Sequence, residues 1–155
     1  MNGESEAGNQ EPHRAHSKVV VGVDGSESSL RALDWAMRYT ALTDSTLEVV
    51  TAWTFPERPA PLGVDVRVPF QEELMAEAER KLSELVAGAV PDDQRAAVRT
   101  KVVRGEAAKV LVAEAAGAEL LVVGSRGRGS FAQLLLGSVS ERCAQHAECP
   151  VLVMR

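Results

Sequence analysis

Two segments of this chain, VVVGVDGS at 19–26 and LLVVGSRGRGS at 120–130, each carry an apolar, largely β-branched run straight into glycine. A strand that is apolar on both faces has to be covered on both faces, which is the condition of a parallel sheet enclosed by helices. Sheets of that kind bind their ligands beyond the carboxyl ends of the strands, where the strand order reverses. The two most apolar strands therefore belong at the centre of the sheet, side by side. Their exits are then the two most glycine-rich loops in the chain.

The rest of the pattern agrees. Apolar runs predict strands at Lys18–Val23, Thr46–Thr54, Ala97–Val103, Glu119–Val123 and Pro150–Met154. Between them, helical spacing predicts a helix over Ser26–Leu42, capped by Ser26 or Asp24, with Leu30, Leu33, Ala36 and Met37 on its buried face. A second stripe, Phe70, Leu74, Ala78, Leu82 and Leu85, follows the proline-rich stretch 55–69 and ends near Gly88. Glu106–Ala116 reads as a third helix, and Ser138-x-x-Glu141 as a capping box opening a fourth. Such β-α alternation, with right-handed crossovers, is an α/β domain with a parallel sheet and helices on both faces.

A chain of 155 residues suits one domain. Residues 1–17 hold no apolar side chain larger than alanine after the first Met, so we expect a disordered tail there and a folded domain over 18–155. His13 and His16 fall in that tail and read as solvated rather than metal-ligating. The net charge of −5 and pI near 5.3 disfavour a nucleic-acid or membrane-surface partner. No run approaches the roughly 20 apolar residues that span a bilayer, and the expected location is the cytoplasm. Cys143 and Cys149, with five residues between them, match no common zinc or redox spacing and are expected as reduced thiols.

Gly124, Gly127, Gly129 and Gly137 let the backbone approach a ligand closely, and successive N–H groups in such a turn form a nest for an anion. The start of the fourth helix adds unpaired N–H groups at the same place. Arg126 and Arg128 supply charge, while Ser125, Ser130, Ser138 and Ser140 supply hydroxyls. The expected guest is a phosphate chain. A Walker A loop is not present, because Ser130 stands where its lysine should be. Residues 127–132 fit the relaxed dinucleotide fingerprint, but Pro150–Arg155 offers no acidic residue for a ribose, which places NAD behind ATP.

The spacing Gly124-x2-Gly127-x9-Gly137-Ser138 resembles the ATP-binding signature of the universal stress protein family, and the likeness extends over Lys18–Arg155. It implies a sheet in the order 3-2-1-4-5 and a homodimer paired through the last strand, Val151–Met154. It also implies that Asp24 lies on the ribose or on a metal ion, Mg2+ or Mn2+, carried by the nucleotide; capping of the first helix is the other role open to Asp24. Ala52 would meet the adenine edge, with Gly22, Val23 and Val123 around base and ribose. Gly124 through Ser130, and then Ser138, Val139 and Ser140, would meet the phosphates.

No hydrolase constellation accompanies this loop. His146 is expected on the buried face of the fourth helix as a structural residue, and Cys143 as a packed one. The leading reading is an ATP-binding regulatory module of the stress response with at most slow hydrolysis. An ATP-dependent nucleotidyl-transfer enzyme and a scaffold that binds no nucleotide are the alternatives.

Overall fold

The computed structural model describes residues 17–54, 69–128 and 136–155, without the side chains of residues 69 and 70. Residues 1–16 of the expected tail, most of the proline-rich loop, Gly129 and Ser130 lie outside the described residues. Among the described residues the chain forms β1 (Lys18–Gly22), α1 (Glu27–Thr43), β2 (Thr46–Trp53), α2 (Pro69–Ala89), β3 (Val98–Arg104), α3 (Ala107–Glu114), β4 (Leu120–Gly124), α4 (Ser138–His146) and β5 (Val151–Met154). A short 3-10 turn, Arg95–Ala97, leads into β3, where the sequence predicts strand already at Ala97.

The strands form one parallel sheet in the order β3-β2-β1-β4-β5. As expected, β1 and β4 are neighbours, with Val20 opposite Leu121. Alternate residues feed two cores. Val19, Val21, Leu47, Val49 and Val122 pack under α1 and α2 with Leu33, Leu82 and Val86. Val20, Val50, Leu121 and Val123 pack on the other face with Leu111 of α3 and Cys143 of α4. Each such side chain contributes roughly 1.5–3 kcal/mol when fully buried. This is why the short strands carry no polar alternation.

The two edges differ in character. β3 shows Arg99, Thr100, Lys101 and Arg104 to solvent, charges that block further strand pairing. β5 is apolar, and all four of its residues are only half-buried.

Three local expectations are corrected. Leu30 is 40% exposed, because the first turn of α1 buries Ser28 and Ser29 instead. The capping box does not form: the Gly137 carbonyl accepts the Glu141 N–H, which makes Gly137 the N-cap and places Ser138 inside the helix. His146 is exposed rather than buried. It is the last residue of α4, where a basic side chain faces the negative end of the helix dipole.

Candidate functional site

At the carboxyl ends of β1 and β4 the two glycine-rich exits meet, although about a hundred residues of chain separate them. Ser26 caps α1 by accepting the Ser29 N–H, and Ser29 Oγ in turn donates to the Ser26 carbonyl at 2.9 Å. Asp24 is not the N-cap of α1 but holds the cap residue itself. Its Oδ1 accepts the Ser26 N–H at 2.9 Å and its Oδ2 accepts the Arg128 N–H at 3.1 Å.

The β4–α4 loop is docked onto this first turn. Ser28 Oγ donates to the Arg126 carbonyl at 2.5 Å, and Ser26 Oγ to the same oxygen at 3.3 Å. The docking requires glycine at 124. A Cβ there would stand 2.8 Å from the Ser28 carbonyl carbon and from the Ser29 nitrogen, both backbone atoms that cannot move aside. At Gly127 a Cβ would lie 2.7 Å from Asp24 Oδ2.

Ser125 closes the loop from behind. Its N–H donates to the Met154 carbonyl, and its own carbonyl accepts both the Gly137 N–H, at 2.6 Å, and Ser140 Oγ, at 3.1 Å. Ser140 Oγ also reaches the Gly137 carbonyl at 2.9 Å. The Ser140 hydroxyl is therefore committed to bracing the loop. No side chain hydrogen-bonds the N-terminal turn of α4 from its N-cap, Gly137. Ser138, Val139 and Ser140 of that turn line the neighbouring cleft.

Between these elements lies a cleft of about 570 Å³. Of the residues singled out from sequence, Gly22, Val23, Asp24, Ala52, Val123, Gly124, Arg126, Gly127, Arg128, Gly137, Ser138, Val139 and Ser140 line it. Ser125 is buried behind it. Ser26, Ser29, Val50, Ala107 and Leu111 also line it and were not anticipated. The N-cap serine and the first turn it opens were a usable signal for the first two; nothing local to β2 or α3 announces the others. The cleft has two characters. Val50, Ala52, Ala107 and Leu111 make an apolar end, while the glycine loop and the start of α4 make an end rich in N–H donors and arginine.

Electrostatics follow from these contacts. Partial burial pushes the Asp24 carboxyl up, but hydrogen bonds from Ser26, Arg128 and Ser29 outweigh it and hold the group below its usual range. It is a carboxylate at neutral pH. Among the described residues, no three His, Cys, Asp or Glu side chains gather as a metal site. A divalent cation here would have to rest largely on a ligand's own phosphates, with Asp24 beside them.

The protein-family model described as the universal stress protein family matches residues 16–155. The chain belongs to that family. A universal stress protein of Mycobacterium tuberculosis is 38% identical over 144 residues, covering 93% of this chain and 47% of the relative. One from Mycolicibacterium smegmatis is 36% identical over 146 residues, with 94% and 48% coverage. The chain spans about half the length of these curated relatives. Among solved structures, a universal stress protein in complex with cAMP shares 31% identity at a TM-score of 0.60, covering 90% of this chain and 97% of that one. A family member from Burkholderia pseudomallei shares 28% identity at a TM-score of 0.64, covering 92% and 98%.

The cysteines do not belong to the cleft's chemistry. Cys143 is buried against α3 and the sheet, and burial, with a small push from the charge of Cys149, raises its thiol to about 11. At pH 8 about one part in a thousand would be thiolate, the reactive form. Titrating the native protein with an aromatic disulfide reagent should therefore show one accessible thiol, the half-buried Cys149, and two only after denaturation. Equal, fast reaction of both thiols in the native state would contradict the packing of Cys143.

Proposed function

We propose that the cleft binds an adenine nucleotide, ATP with Mg2+ or Mn2+ on its phosphates, and that the protein is a cytoplasmic, nucleotide-responsive regulatory module rather than an efficient enzyme. The observation that carries this reading is the meeting of Gly124, Gly127 and Gly137 with the uncapped start of α4 in one cleft, beside the apolar lining of Val50, Ala52 and Leu111. A helix N-terminus beside a glycine-rich turn offers phosphate unpaired N–H donors and the positive end of the helix dipole. The apolar end around Ala52 and Leu111 suits a flat heterocycle. The cAMP complex of the 31% identical family member supports an adenylate as the ligand class.

Regulation rather than turnover is favoured by the lining. Asp24 is the only carboxylate among the described lining residues, and its oxygens are engaged with Ser26 and Arg128. No described side chain is placed to activate a water. The half-exposed apolar edge of β5 supports a homodimer through Val151–Met154, since pairing would cover it. The Met154 carbonyl holds the Ser125 N–H at 2.6 Å, so a nucleotide that orders the loop is one hydrogen bond away from that edge.

Thermal unfolding with magnesium and ATP, ADP, cAMP, GTP or NAD tests the reading. At 100 times its Kd, a ligand stabilises by roughly 2.7 kcal/mol. For a domain of this size that is a rise in Tm of about 5–10 °C. An adenylate-selective rise is expected; no rise with any nucleotide would leave the scaffold reading, and turnover above about 1 per second would make the protein an enzyme.

A further inference from the structure

The cleft is buried around Val50, Leu111, Val123 and Ser140, whereas Arg126 and Arg128 are exposed at its rim. Of the two arginines, Arg128 is held in a set position. Its N–H donates to Asp24 Oδ2 at 3.1 Å, and its guanidinium rests on Gly25, with Nη2 2.7 Å from where a Cβ would stand. Gly25 has a φ of +80°, so one glycine both turns the chain after β1 and leaves open the face on which the guanidinium lies. Arg31, Arg38, Arg80, Arg95 and Arg142 each pair with a carboxylate. Among the described residues none pairs with Arg128, since the Asp24 oxygens take the backbone N–H groups of Ser26 and Arg128 instead. A planar guanidinium held at the mouth of a cleft with its donors unused is matched by the oxygens of a phosphate.

We propose that Arg128 is a specificity-determining residue that reads the length of the ligand's phosphate chain, favouring ATP over adenylates that carry one phosphate. The proposal rests on the adenine-nucleotide reading. With a base on the apolar lining of Val50, Ala52 and Leu111 and a first phosphate at the glycine turn, a longer phosphate chain continues outward to the rim, where Arg128 stands. A single phosphate ends before the rim, above all when it is tied back to its own ribose as in cAMP. Such a ligand draws on the loop and the start of α4 but gains nothing from the guanidinium. Because the rim is open to water, the gain lies at the lower end of what a charged hydrogen bond contributes.

Calorimetric titration of the full chain and of Arg128→Gln with ATP, AMP and cAMP, all with magnesium, tests the proposal. ATP is expected to bind the variant about tenfold more weakly, while the affinities for AMP and cAMP change by less than about twofold. Arg128 is exposed and its side chain loses no described partner, so the ligand-free Tm should stay where it is and the loss is one of binding. If Arg128→Gln does lower the Tm, Arg128→Lys takes its place; it keeps the charge, loses the fork, and should show an ATP-selective loss of about threefold. An ATP affinity that stays within about twofold in Arg128→Gln, or equal losses for all three ligands, overturns the proposal and leaves the nucleotide reading standing. Should the unaltered protein bind none of the three, the nucleotide reading fails and the proposal with it.

Discussion

Alanine at position 124 is expected to weaken adenine-nucleotide binding by roughly tenfold to a hundredfold while leaving the parallel sheet assembled. The added methyl would stand 2.8 Å from two backbone atoms at the start of α1, so the β4–α4 loop has to lift from its seat on Ser28. Overpacking of this kind costs about 1–3 kcal/mol. Lifting the loop also moves Arg126, Gly127 and Arg128 away from the positions that line the cleft. Gly88→Ala is the matched control: position 88 lies within α2 with nothing inside 4 Å of the added atom, and alanine there should be neutral or stabilising by about 0.5–1 kcal/mol. Calorimetric titration of both variants with ATP and magnesium decides the matter. Wild-type affinity in Gly124→Ala would show that the loop does not need its seat on α1.

Truncating Leu33 to alanine should remove about 2–5 kcal/mol of stability. Leu33 is fully buried on α1 and packs into the core that α1 shares with Val19, Val21 and Val122. These valines belong to β1 and β4, the strands whose exits build the cleft, and their β-branched side chains are too stiff to close the void. The expected drop in Tm is on the order of 10 °C for a domain of this size. Chemical denaturation checks it, with an unchanged m-value showing that the variant still unfolds as one unit. A loss below about 1 kcal/mol would mean that α1 is not anchored by this residue. Because α1 carries Ser28 and is capped by Ser26, a small accompanying loss of nucleotide affinity is expected, well short of that for Gly124→Ala.

The strands were legible because each is a short run whose composition decides its burial. Val19–Val21 and Leu121–Val123 need cover on both faces whatever surrounds them, and that need implies the parallel sheet and its central pair. The glycine spacing was legible for the same reason, since a backbone that must bend or approach closely advertises it residue by residue. Helix ends were less so. Ser138 has the residue type of a cap, yet the Gly137 N–H is held by the Ser125 carbonyl, and this tertiary bond starts the helix one residue earlier than the capping pattern implies.

What the amino-acid sequence alone determined was the fold, the pairing of β1 with β4, and the loop that forms one wall of the cleft. These depend on which side chains avoid water and on which residues free the backbone, both properties of short segments. Only the tertiary structure decided how the two exits engage: Ser28 beneath the Arg126 carbonyl, and Asp24 on the Arg128 N–H, contacts that span 98 and 104 residues. Serine and aspartate after a strand are equally at home as caps, turn residues or ligand contacts. Their actual partners are set by distances that appear only when the sheet brings β1 and β4 together.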